Sequence, residues 1–231
     1  MPPDAAPGAA IGILMLDTHF PRPPGDIGNP ASFGFPVLYE RIQGASVQRA
    51  VREQASGLLE PFIEAGHRLV QRGAVAIGTS CGFLVLHQRR LADALPVPVA
   101  TSSLLQVASV QAMLPAGKRC GVITFDAAAL SARHLACAGA PPDTPVEGMP
   151  AEGALRRAID RDEAELDTDA VRCELVQAAR KLLAREPRIG ALVLECTNLP
   201  PYSGALRAEF NLPVFDSCTL LACLWQACLR E

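Results

Sequence analysis

One apolar pattern occurs twice in this chain, and it restricts the fold more than any other feature. Gly73-Ala-Val-Ala-Ile-Gly-Thr-Ser-Cys81 is a short apolar run closing on a cysteine, and Gly190-Ala-Leu-Val-Leu-Glu-Cys196 repeats it. Two further segments recur in the same order. Ile11-Gly-Ile-Leu-Met-Leu-Asp17 is echoed by Lys118-Arg-Cys-Gly-Val-Ile-Thr-Phe-Asp126, and Ala94-Leu-Pro-Val-Pro98 by Asn211-Leu-Pro-Val-Phe215. The three shifts are about 109, 115 and 117 residues. Wholly apolar strands alternating with helical segments mean parallel sheet covered by helices on both faces. The duplication therefore predicts an α/β fold of two pseudo-symmetric parallel-sheet halves with a site in the cleft between them. We expect residues 1–115 plus 216–231 to form the first half and 116–215 the second.

Within that plan, strands are expected at 11–16, 74–77, 97–99, 120–124, 190–194 and 213–215. Apolar residues at helical spacing predict helices over about 46–72, 83–94, 102–114, 127–138 and 151–185, the last interrupted near 166–169, with one more between Pro200 and Pro213 and another at the C-terminus. The Pro- and Gly-rich stretch 17–36 is too long for an ordinary connection and is expected to shape a site. Residues 139–150 read as a Pro-rich connection.

Composition excludes several classes. Apolar residues make up 49% of the 231 and charged residues 19%, which suits a packed globular protein. The net charge of −3 and aromatic content of 5% argue against a nucleic-acid partner. No apolar run reaches membrane-spanning length, and Met1 to Gly8 lacks the basic start of a signal peptide, so a cytoplasmic protein is expected. Eight cysteines without an export signal are expected to stay reduced. Cys218, Cys223 and Cys228 recur every five residues, which spreads them around a helix; with Cys120, Cys137 and Cys173 they read as small buried apolar residues.

Cys81 and Cys196 are different, because each lies just beyond a buried strand and before a helix. Ligands of open α/β sheets bind at that end of the strands, and a helix N-terminus favours thiolate over thiol. Two thiols facing one cleft can take a proton from one side of a carbon and return one from the other. Thr79, Ser80, Thr124 and Thr197 supply hydroxyls at strand ends for a carboxylate or enolate-like charge, and Gly82 adjoins Cys81. Asp17 and Asp126 correspond across the halves; Asp17 is expected near one sulfur, and Asn29 is expected over the cleft on the long loop. Glu195 is expected to point away from Cys196, since neighbours on a strand face opposite sides. No metal or other cofactor is needed in this scheme.

These motifs resemble the aspartate/glutamate/hydantoin racemase superfamily. Cys196-Thr197 is similar to its second cysteine motif, Thr79-Ser-Cys-Gly-Phe83 to its first, and Pro213-Val-Phe-Asp216 to the segment closing its second half. The resemblance implies two catalytic cysteines, a carboxylate clamp at Thr197 and Asn198, and a homodimer. It implies an isomerase: a cofactor-independent racemase or epimerase acting on an amino acid, another carboxylic acid or a hydantoin. Maleate-type cis–trans isomerisation and malonate-type decarboxylation are the alternatives within the superfamily.

Two rivals come from outside it. Gly78-Thr-Ser-Cys-Gly82 fits the G-x-S-x-G elbow and would make Ser80 a hydrolase nucleophile, but no histidine follows His134 to complete a triad. A non-catalytic small-acid binding protein would tolerate loss of either sulfur.

Overall fold

The computed structural model describes residues 9–229, so the Met1 to Gly8 reading lies outside the described residues. In chain order the elements are β1 (Ala10–Met15), β2 (Val37–Arg41), α1 (Leu59–Gln71), β3 (Ala74–Thr79), α2 (Gln88–Ala94), β4 (Val99–Ala100), α3 (Val107–Met113) and β5 (Arg119–Thr124). There follow α4 (Ala132–Cys137), β6 (Val146–Gly148), α5 (Ala154–Asp160), α6 (Thr168–Arg185), β7 (Ile189–Leu194), α7 (Ser203–Phe210), β8 (Val214–Phe215) and α8 (Ser217–Cys228).

They build two four-stranded sheets with one connectivity, β2-β1-β3-β4 and β6-β5-β7-β8, every pairing parallel. Even the irregularities match: the β1–β3 register shifts between Ala10 and Ile11, and the β5–β7 register between Arg119 and Cys120. The central strands are covered on both faces, which is why β1, β3, β5 and β7 read as continuous apolar runs. Leu14, Ile77 and Cys81 share one buried cluster with Ile123, Leu194 and Cys196, so a common core joins the halves. Helix α8 packs on the first sheet through Leu221 and Trp225 against Ile11, Ile13 and Ala76. Its close approach explains Gly78: a Cβ there would lie 2.9 Å from Leu221 Cδ2.

Several local expectations are corrected. The helix over 46–72 is broken: a single turn at Gln48–Arg52 is followed by left-handed residues Gln54, Ala55 and Gly57, and α1 begins only at Leu59. Pro61 explains the break, because its ring excludes a helical carbonyl four residues earlier, at Gly57. Residues 82–87 and 103–106 form tight 3-10 turns before α2 and α3. The edge strands β2 and β6 occupy stretches not read as strands. Cys137, Cys173 and Cys223 are exposed rather than buried. Among the described residues no helix is long and apolar enough to cross a membrane.

Candidate active site

The ends of β1, β3 and β7 open on a cavity that both Cys81 and Cys196 line. They are 9% and 6% exposed. Cys81 leaves β3 in extended conformation and caps the turn 82–87, so the backbone N–H groups of Phe83 and Leu84 face its sulfur. Cys196 leaves β7 in the equivalent way, with the N–H of Asn198 toward it. The two motifs are tied directly, for Thr197 Oγ1 donates to the Ser80 carbonyl at 2.7 Å.

The long loop 17–36 completes the wall. Cys196 Sγ lies 3.6 Å from Asn198 Oδ1, and Asn198 Nδ2 donates to Asp26 Oδ2 at 2.6 Å. Asp26, almost fully buried, also accepts from Arg22 Nη1 at 2.9 Å and the Gly28 N–H at 2.8 Å. Arg22 Nη2 donates to Thr18 Oγ1 at 2.8 Å. Arg22 is thereby held against the cavity, the only basic side chain among the described residues that line it. Its remaining N–H donors can take a carboxylate.

Glu195 is completely buried and lines the same cavity. Its Oε2 accepts from Thr124 Oγ1 at 2.7 Å, while Oε1 has no partner. Burial pushes its carboxyl up to about 7, against the opposing pull of the Thr124 hydroxyl and the Phe125 N–H. Burial, and then the charge of Glu195, push the Cys81 thiol up to about 12. The same two causes hold Cys196 well above the ordinary thiol range. These causes favour thiol over thiolate at both sulfurs at neutral pH.

Of the residues singled out in the sequence, Ser80, Cys81, Gly82, Cys196, Thr197 and Asn198 line the cavity. Asp17, Asn29, Thr79 and Thr124 do not. Asp17 accepts from the Gly44 N–H at 2.9 Å, Asn29 caps the turn at Ala31 and donates to the Arg22 carbonyl, and Thr79 donates to the Thr101 carbonyl at 2.7 Å. Asp126 bridges the halves by pairing with Arg52 and Arg156. The expectation for Glu195 is corrected: β7 ends at Leu194, so strand alternation no longer applies, and Glu195 faces the cavity together with Cys196. Arg22 and Asp26 escaped notice, although Arg22 is the sole arginine or lysine of the 17–36 loop. No histidine lines the cavity among the described residues, and Ser80 Oγ accepts the Leu16 N–H at 2.9 Å, which leaves the elbow serine without a base.

Comparison with known proteins bears on this geometry. Residues 104–224 match the Asp/Glu/Hydantoin racemase family. A dimethylsulfoniopropionate lyase of Durusdinium sp. clade D is 28% identical over 227 residues, covering 90% of this chain and 71% of the relative. Dimethylsulfoniopropionate lyase 6 of Emiliania huxleyi (strain CCMP1516) is 31% identical over 219 residues, covering 91% of this chain and 57% of the relative. The chain thus spans between 57% and 71% of the length of these two curated relatives. Among solved structures, arylmalonate decarboxylase superposes with a TM-score of 0.62 at 14% identity, covering 94% of this chain and 92% of that one. Glutamate racemase of Bacillus anthracis gives 0.57 at 19%, covering 95% and 82%. At such identities these two support the fold alone.

The relatives overturn the expectation of a racemase, and of an isomerase altogether, because those aligned over nine-tenths of the chain are named as lyases. Inversion needs an acid and a base on opposite faces of a carbon, but two thiols lining one cavity serve elimination equally well.

Proposed function

The chain belongs to the Asp/Glu/hydantoin racemase family, and from that premise we propose that it is a lyase cleaving the C–S bond of dimethylsulfoniopropionate. What carries the reading is one cavity that holds two buried thiols and a single arginine; the relatives indicate the substrate.

The substrate is a propionate bearing a dimethylsulfonium group on C3. Arg22 holds the carboxylate, and charge developing next to it on C2 is stabilised there. A cysteine thiolate removes a C2 proton. The released electron pair forms the C2–C3 double bond, the C3–S bond breaks, and its pair stays on sulfur. Dimethyl sulfide leaves neutral, acrylate remains, and the proton sits on the thiol until it passes to solvent.

The raised thiols are compatible with this chemistry because the substrate brings its own cation. A unit charge about 4 Å from the sulfur is worth about 4 kcal/mol at an effective dielectric near 20. That lowers the pKa of a thiol by roughly three. Phe20, Phe83 and Phe125 line the cavity and keep the local dielectric low.

Gas chromatography of the headspace over protein and dimethylsulfoniopropionate tests the proposal; dimethyl sulfide is expected, and its absence overturns it. The same assay carries a pH prediction. Cys81 is pushed up to about 12 and Cys196 also upward, so the thiolate fraction of the free enzyme grows with pH throughout the neutral range. kcat/KM is expected to rise steadily from pH 7 to 9, whereas a plateau there would mean that the base is a group already ionised at pH 7. All eight cysteines are unpaired and three are exposed, which supports placement in a reducing compartment such as the cytoplasm.

A further inference from the structure

We propose that the cavity is a receptor for zwitterions, in which Glu195 recognises the onium end of the substrate while Arg22 takes the carboxylate, so that onium propionates are selected over their uncharged isosteres. This rests on the lyase reading for its substrate class, but its grounds are separate.

The first is the unpartnered oxygen. Glu195 is wholly buried, Oε2 is engaged by Thr124, and Oε1 has no donor. A buried carboxylate oxygen without a partner is strongly unfavourable unless a cation or donor arrives. Among the described residues that line the cavity none is a cation except Arg22, and Arg22 is engaged by Asp26. The missing partner of Glu195 therefore comes from outside the chain.

The second is the space kept for the carboxylate. A Cβ on Gly82 would lie 2.2 Å from Glu195 Oε1, so glycine beside Cys81 is what lets the carboxylate occupy the wall between the two cysteine motifs. The third is the aromatic surface. Phe20 is already stacked by Arg22, with 4.4 Å to the ring centroid, and Phe125 by Arg156 at 4.6 Å. Phe83 also lines the cavity, its ring packed at 78° against His134 with 5.1 Å between centroids; no arginine stacks on it among the described residues, and aromatic carbon there suits the methyl groups of an onium head. Burial, which pushes the Glu195 carboxyl up to about 7, favours its neutral form, and an arriving cation draws it into the charged form.

Two ligands of one shape separate charge from size. 3-(Trimethylammonio)propionate and 4,4-dimethylpentanoate both carry a three-methyl head on a two-carbon carboxylate arm. They differ in the positive charge, and neither holds a sulfonium leaving group. Calorimetric titration of the intact protein is expected to show the ammonium compound bound about tenfold or more tightly than its neutral isostere, the size of a desolvated charge contact. In Glu195→Gln, which keeps the side-chain shape, that preference should fall below about threefold while affinity for the neutral isostere is retained. Equal binding of the two ligands by the unaltered protein, binding of neither, or an undiminished preference in the variant overturns the proposal. The titration needs no turnover. A protein that prefers the ammonium ligand yet releases no dimethyl sulfide retains the receptor and loses the lyase; one that releases dimethyl sulfide without the preference does the reverse.

Discussion

Cys81→Ala and Cys196→Ala are expected to lower dimethyl sulfide release unequally, one by about 10²- to 10⁴-fold, the range for loss of a general base, and the other by much less. The asymmetry follows from the reaction. Inversion uses a base on one face of the carbon and an acid on the other, so a racemase fails when either sulfur is lost. Elimination removes one proton from one face, and dimethyl sulfide departs without being protonated. Only one thiol is then indispensable, and the second contributes wall and electrostatics. Both cysteines are small and buried among other apolar groups, so alanine leaves the fold intact. Steady-state kinetics of the two variants check this. Equal, near-complete loss in both would mean that each sulfur handles a proton and would remove single-base elimination from consideration.

Glu195→Gln is expected to stabilise the fold at pH 8, by an amount that shrinks toward pH 5. The sign follows from the raised carboxyl. Its value is about 7 in the folded protein against an ordinary 4.5, so between those values the folded chain holds a proton that the unfolded chain has lost. Stability contributed by the neutral carboxyl is present below about 4.5 and is lost as pH rises through about 7. The whole effect is about 3 kcal/mol, because each tenfold change in proton affinity is worth about 1.4 kcal/mol. Glutamine keeps the acceptor for Thr124 and abolishes the ionisation. Tm at pH 8 should therefore rise by roughly 6–12 °C for a chain of this size, with a gain of only a few degrees at pH 5. Thermal melts at the two pH values decide it; a gain independent of pH, or a loss at pH 8, would show that Glu195 has a charged partner inside the fold. A stabilising change that abolishes onium preference is the trade expected of a residue kept for binding.

The duplicated pattern made the central strands legible, because a strand buried on both faces must be apolar throughout. The edge strands were less so. β2 is only partly buried and carries Tyr39, Glu40 and Arg41, while β6 has three residues within a Pro-rich stretch. The repeat itself held the missing signal, since Val37 and Val146 stand about 109 residues apart, the same shift as Asp17 and Asp126. The break before α1 was also written locally, in Pro61, but the apolar periodicity on either side of it concealed the interruption.

In the site, Ser80, Cys81, Gly82, Cys196, Thr197 and Asn198 could be found because they sit at ends of strands whose direction is known. Arg22 and Asp26 could not be found that way. They lie in a loop without periodicity, and their placement depends on a contact with Asn198 that is distant in sequence. Glu195 was misread because a strand rule was carried one residue past the strand. A pair of thiols in one cavity suits chemistry at a carbon next to a carboxylate, but it does not say whether a proton, carbon dioxide or a sulfide leaves that substrate.

That last point is settled by feeding the enzyme dimethylsulfoniopropionate carrying two deuterons on C2, in ordinary water, and recording the product by proton NMR. Elimination at the cysteine site predicts acrylate bearing a single deuteron on C2, with one dimethyl sulfide for each acrylate. 3-Hydroxypropionate retaining both deuterons would place the attack on C3, and uncleaved substrate whose deuterons wash out would return the site to proton exchange alone; either result contradicts the lyase.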